Sequence, residues 1–377
     1  MAASAFNYFF QVHAAALLDA TAFGLLSTWL ARVTLIGAVA TVVQFLSLDF
    51  ALSERRFAGL LRVLGLASFA IVGGHVFLGY AMTPSLLGAT SVVSGIALYA
   101  VLGQLQARLE LGVVAMAVLA AAALRFSLPF AWPCETRAPA FYVSHASASF
   151  AGIVAAAAVV TLRRARRTHD APAEAPQKAR ALRLGRPILL AFATVLFPVI
   201  DVLVISSTQD AATTGAFSRI QLASRVVFFA GTAALQILLP HQLHSTASGA
   251  PLPPFALRLQ QRLTPGMIAA ALILAALVDR LVIRAQGDER IWLYACCLAA
   301  ALSVAILGRV NEFAARDRLG LAAMPVAGVV ATSGASVLLA SLSGHHVTRY
   351  TVGVLVGNAL VLLGAHAVQM RSTPSTR

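Results

Sequence analysis

Run after run of this chain is apolar for about the length that crosses a bilayer. A helix needs about 20 such residues to traverse the hydrocarbon core. By that measure, runs fall at about 6–18, 23–48, 57–82, 84–104, 110–132, 141–162, 187–207, 216–241, 264–284, 291–310, 320–343 and 350–370. No soluble domain buries this much apolar surface, because soluble domains carry about 25% charged residues and this chain carries 11%. Ten-residue stretches of alternating polarity, the mark of a membrane barrel, do not occur. The expected fold class is therefore an all-α membrane protein with about twelve transmembrane helices. The net charge of +14 does not point to nucleic acid. The basic residues sit in short connections between apolar runs, where insertion itself requires them, and not on one folded face.

Orientation follows from those basic residues. With a cytoplasmic N-terminus, nineteen Lys and Arg fall in cytoplasmic connections and seven, Arg125 and Arg219 among them, in outer ones. The one long polar stretch, residues 163–186, is rich in Arg, Ala and Pro and reads as a flexible cytoplasmic linker. It divides the chain into an N-terminal six-helix bundle at 1–162 and a C-terminal one at 187–370, with a cytoplasmic tail at 371–377. No cleavable leader is expected, since residues 1–4 carry no positive charge. Cys134, Cys296 and Cys297 have no metal-ligand spacing and imply no disulfide framework. No metal and no cofactor are expected, and no soluble catalytic domain.

The two halves echo each other. Asp19 precedes Gly24 by five residues and Ser27 follows by three; Asp210, Gly215 and Ser218 repeat the spacing. An Arg comes soon after in each half, at Arg32 and Arg225. A six-helix unit repeated once gives two halves of like orientation, related about the membrane normal.

Three stretches carry a family resemblance. They are Asn7-Tyr8-Phe9-Phe10-Gln11 with Leu17-Leu18-Asp19 and Phe23-Gly24-Leu25; Asp201-Val202-Leu203-Val204 with Thr214-Gly215-Ala216-Phe217; and Ser224-Arg225-Val226-Val227-Phe228-Phe229 closing on Leu239-Pro240. Together they resemble the polysaccharide and oligosaccharide-lipid flippases of the multidrug/oligosaccharidyl-lipid/polysaccharide exporter superfamily. The resemblance implies two six-helix bundles around a central cavity, in the inner membrane of a bacterium. It implies a flippase that moves a lipid-linked oligosaccharide, of undecaprenyl-pyrophosphate type, by alternating access, driven by a coupling ion such as H+ or Na+. The alternatives are a drug or small-molecule antiporter of the same superfamily, and a membrane glycosyltransferase or polymerase of surface polysaccharide. The latter generally needs a large outer loop, and the longest outer connection, about 125–140, is small.

Ionisable and amide groups inside apolar runs are costly, so each is a candidate site. Arg32 and Arg225 offer guanidinium forks suited to phosphate oxygens. Asp201 follows Pro198, a residue able to kink its helix, and is placed to bind a coupling cation or to neutralise Arg225. Gln221, Gln236, Asn7 and Gln11 offer hydrogen bonds to sugar hydroxyls. Asn311 and Glu312, beside Arg309, read as the surface end of the tenth run. Gly353 and Gly357 form a GxxxG helix-packing signal.

Overall fold

A computed structural model describes residues 2–49, 82–107, 111–131, 137–166, 185–248, 251–280, 287–316, 318–341 and 346–372. All thirteen elements among them are helices: α1 Ala2–Leu17, α2 Ala20–Ile36, α3 Ala38–Asp49, α4 Met82–Ala107, α5 Leu111–Ala131, α6 Arg137–Arg166, α7 Gly185–Leu196, α8 Ile200–Thr208, α9 Ala211–Ser248, α10 Pro254–Val278, α11 Asp288–Ala315, α12 Leu319–Ser341 and α13 His346–Ser372. Eight spans among the described residues are long and apolar enough to cross a bilayer, or nine if the bent pair α7–α8 makes one crossing. The helices α2 and α3 meet at Gly37 and share one span, Ala20–Val43. The apolar run at 57–82 lies outside the described residues except for its last residue. So does most of the basic linker.

Several helices outrun the apolar stretches that announce them. The helix α9 has 38 residues, about 57 Å at 1.5 Å per residue, against a hydrocarbon core of about 30 Å. It continues past the apolar run into His241-Gln242-Leu243-His244. The helix α10 starts at Pro254, ten residues ahead of its run, and so carries Arg258, Gln260, Gln261 and Arg262 as helical residues. Intrahelical bonding does not stop where lipid stops.

The chain forms two compact units. The first comprises Met1–Leu18 and Arg32–Ala191; the second comprises Asp19–Ala31 and Phe192–Arg377. In the first unit α5 packs on α6, α4 on both α3 and α6, and α1 on α5. Leu98, Leu102, Val113 and Ala117 form part of its core. Beside them lies an aromatic cluster, with Phe10 edge-on to Phe141 at 5.4 Å and His13 stacked on Phe130 at 3.9 Å.

In the second unit α11 is the hub, packing against α9, α10, α12 and α13. Its Ala, Ser and Cys side chains are small enough to admit four neighbours. In lipid no hydrophobic force separates a helix from the acyl chains, so close van der Waals contact has to hold such helices together. The pair α12–α13 shows how. A Cβ at Gly353 would strike the Ser336 side chain at 2.6 Å, and one at Gly357 would strike Thr332. The GxxxG face of α13 thus meets a small-residue face on α12.

Candidate functional site

The run at 187–207 is broken in the structure. Its two helices, Ile188–Leu196 and Ile200–Thr208, bend by 54° across Phe197-Pro198-Val199. Pro198 has no N–H to donate, and its ring crowds the preceding turn, which is the usual cause of such a kink. Irregular backbone at membrane depth is tolerated where it lines a cavity within protein. Here it does. Pro198 and Asp201 line a cavity in the second unit with Gln221, Arg225, Ser333 and Asn358.

The side chains form a chain of hydrogen bonds. Tyr350 on α13 donates its hydroxyl to Asp201 Oδ1 at 2.9 Å. Gln221 on α9 donates Nε2 to Asp201 Oδ2 at a long 3.4 Å. Arg225, one turn further along α9 and buried, donates Nη2 to Gln221 Oε1 at 3.5 Å. Gln221 therefore stands between the carboxylate and the guanidinium. Opposite them, Asn358 donates Nδ2 to Ser303 Oγ at 3.1 Å and to the Ala299 carbonyl at 3.4 Å. Its Oδ1 is a buried oxygen with no hydrogen-bond partner among the described residues, and the buried Ser333 hydroxyl interacts with that of Tyr350. The cavity between these groups measures about 20 Å³. One water needs about 10–15 Å³ by the same measure, so the site takes a single water or small cation. A pyrophosphate does not fit beside Arg225 in this conformation.

Of the other sequence candidates, Arg32 is half-buried on α2 and belongs to the first unit. Gln11 is half-buried on α1. Asn7 and Gln236 lie on α1 and α9, with side chains outside the described set. Asn311 and Glu312 correct the sequence reading. Both lie in the last turns of α11 and are buried, at 7% and 5% exposure, with Glu312 held between Gln260 of α10 and Gln369 of α13. Among the described residues no group of three His, Cys, Asp or Glu is placed to hold a metal. The sequence reading passed over Tyr350, Asn358, Ser333 and Arg125. Arg125 lies within the span Gly112–Ala131 and not in an outer loop. An amide or a cation inside an apolar run was the available signal for Asn358 and Arg125.

The internal repeat has a structural counterpart inside the second unit. Asp19 Oδ1 accepts the Ala22 N–H at 2.7 Å, and Asp210 Oδ1 accepts the Thr213 N–H at the same 2.7 Å. Each is an N-cap satisfying a donor that the helix itself cannot. At Asp210, which is exposed, the Thr213 backbone N–H holds the carboxyl below the ordinary carboxylate range. Five residues on, the helices meet backbone to backbone. A Cβ on Gly24 would fall on the Ala211 carbonyl, and one on Gly215 would fall on the Ala20 carbonyl. Arg219 sits 6.0 Å from the Phe23 ring at the same crossing, within cation–π range.

No protein-family model matches the chain, and no curated protein matches it in sequence. Solved structures do match in fold. A mutant of the Vibrio cholerae MATE transporter VcmN superposes with a TM-score of 0.64 at 15% identity, covering 99% of this chain and 95% of that one. A multidrug-resistance MATE family transporter of the MOP superfamily, in an inward-facing conformation, gives 0.64 at 9% identity, covering 98% and 94%. The eukaryotic MATE transporter AtDTX14 gives 0.62 at 9% identity, covering 99% and 92%. These likenesses run the length of the chain and show its fold, an all-helical membrane architecture of about twelve spans in two bundles.

Proposed function

We propose that this chain is an alternating-access membrane transporter, not an enzyme, whose cycle is tied to occupancy of the Asp201 cavity by H+ or Na+. The observation that carries this reading is the broken helix α7–α8, which presents a carboxylate to a cavity of single-ion size. Carboxylate, amide and hydroxyl oxygens suit a hard cation, and Asp201, Asn358 and Ser333 supply them. Arg225 supplies the alternative partner. Rotation of Gln221 would let the guanidinium neutralise Asp201 once the ion has left, so the carboxylate need not stand alone in a low-dielectric site.

For the cargo, we favour a lipid-linked oligosaccharide of undecaprenyl-pyrophosphate type, exported across a bacterial inner membrane with both termini cytoplasmic. The motifs at 7–25, 201–217 and 224–240 support it. The 20 Å³ cavity holds an ion and not a sugar, so the cargo would bind elsewhere. A second reading is a small-molecule antiporter, favoured by the multidrug transporters that share the fold and by an acid inside the second unit. The test is complementation of a strain lacking its own flippase, with lipid-linked sugar detected at the outer face and ethidium efflux measured in parallel. Wild type should restore surface sugar, and Asp201→Asn should not, at equal abundance in the membrane. Ethidium efflux without rescue would select the antiporter. Full rescue by Asp201→Asn would refute coupling at this cavity.

A further inference from the structure

A larger cavity, about 500 Å³, opens in the second unit where α10 begins and α11 and α13 end. Its polar wall is Gln260, Thr264, Arg309, Arg316 and His366. Its foundation is Glu312, whose side chain is 6% exposed. The Glu312 carboxylate accepts from Arg309 Nη1 at 3.1 Å, Arg316 Nη2 at 2.8 Å, Gln369 Nε2 at 2.8 Å and Gln260 Nε2 at 3.4 Å. Arg309 Nη2 also lies 3.4 Å from His366 Nδ1. One buried acid therefore fixes two guanidinium groups side by side, and their charges exceed its own by one.

We infer that this cavity binds the phosphate of an anionic membrane phospholipid, with the lipid's acyl chain against Leu257 and Leu363. Guanidinium groups held in place bind phosphate oxygens in bidentate fashion at little further cost in order. The excess of one positive charge matches a phosphodiester, which carries one negative charge. Arg258 and Arg262, exposed on the same first turns of α10, add to the field and favour a headgroup without its own amine. Basic pockets between helix ends at headgroup depth are a recurrent way to hold anionic lipid. The apolar flank selects a lipid over free phosphate. Leu257 and Leu363 are 45% and 65% exposed, on helices long and apolar enough to cross the bilayer. The site is separate from the Asp201 cavity and does not depend on the transport reading.

The test uses the full-length protein in nanodiscs containing equal phosphatidylglycerol and phosphatidylcholine, followed by native mass spectrometry of the retained lipid. Wild type should retain one phosphatidylglycerol, with a preference of roughly fivefold to thirtyfold, about what one or two Arg contribute at a membrane surface. Combining Arg309→Gln and Arg316→Gln with Glu312→Gln removes both cations together with their buried partner, takes the excess charge to zero, and should abolish the preference. Thr264→Trp fills the cavity without touching the ion cluster and should expel the lipid from a protein that stays monodisperse. Equal retention of both lipids by wild type, or an unchanged preference in Thr264→Trp, would overturn the assignment. Loss of the phosphatidylglycerol to millimolar inorganic phosphate would overturn the lipid in favour of a free anion.

Discussion

Removing a single oxygen from Tyr350 tests how the Asp201 site is built. Tyr350→Phe deletes the donor at 2.9 Å from Asp201 Oδ1 and leaves the ring, which is fully buried, in place. A hydrogen bond to a charged group is worth about 1.5–3 kcal/mol. The neighbouring cavity, about 20 Å³, admits one water, which can take over part of that bond. The net loss should then be about 1–2 kcal/mol. Gln221→Met should cost less at this carboxylate, about 0.5–1 kcal/mol, because its contact is 3.4 Å long. The assay is reversible unfolding in mixed micelles by SDS titration, run as a double-mutant cycle. If Tyr350 acts through Asp201, Tyr350→Phe should cost almost nothing once Asp201→Ala, which leaves no acceptor oxygen, is present, and the coupling should equal most of the single-mutant loss. Additivity within about 0.3–0.5 kcal/mol would show that the hydroxyl is not bound to this carboxylate, and the ion site as described would be wrong.

Gly215→Ala should destabilise the protein by about 1–3 kcal/mol through overpacking, since its Cβ would meet the Ala20 carbonyl. Gly364→Ala, whose Cβ meets nothing within 4 Å, should be neutral or stabilising in the same SDS titration. Asp210→Ala should lower the thermal midpoint at neutral pH. Because the folded Asp210 carboxyl lies below its ordinary value, the difference from wild type should be full above the ordinary carboxylate range and shrink as pH falls from that range through the lower folded value. Reporter fusions near Pro172 and at Arg377 should both read cytoplasmic; a periplasmic signal at either would contradict the orientation inferred from Lys and Arg.

Apolar length and two local signals carried most of the architecture in the sequence. Runs of about 20 residues located eleven of the helical regions described here, and Pro198 marked the bend that positions Asp201. The Asp-to-Gly spacing marked paired helix starts at Asp19 and Asp210 because N-capping is a local interaction, complete within four residues. Helix ends were less legible. Hydropathy reports where lipid stops, whereas α9 and α10 run on beyond their apolar stretches. The site itself was half legible. Asp201, Gln221 and Arg225 stand out as polar groups in apolar runs, and two of them share a helix face at i, i+4. Tyr350 reaches Asp201 across 149 residues, and Asn358 reaches Ser303 across 55. Such pairings are set by helix packing, and even where one end stands out, as the amide of Asn358 does in its apolar run, nothing in the sequence names its partner. The burial of Glu312 was illegible for the same reason, since its partners Gln260 and Gln369 come from α10 and α13, 52 and 57 residues away.

The crossing at Gly24 and Gly215 constrains how this chain can change over generations. Each glycine is confined by a carbonyl from the other copy of the repeat, Ala211 for Gly24 and Ala20 for Gly215. At most contacts a larger residue on one side can be accommodated by a smaller one on the other. Here the obstacle is main chain, which every amino acid shares, so no replacement at position 20 or 211 makes room. Neither copy can drift at its glycine while the crossing persists. The two repeats are held alike at the place where each is the other's wall.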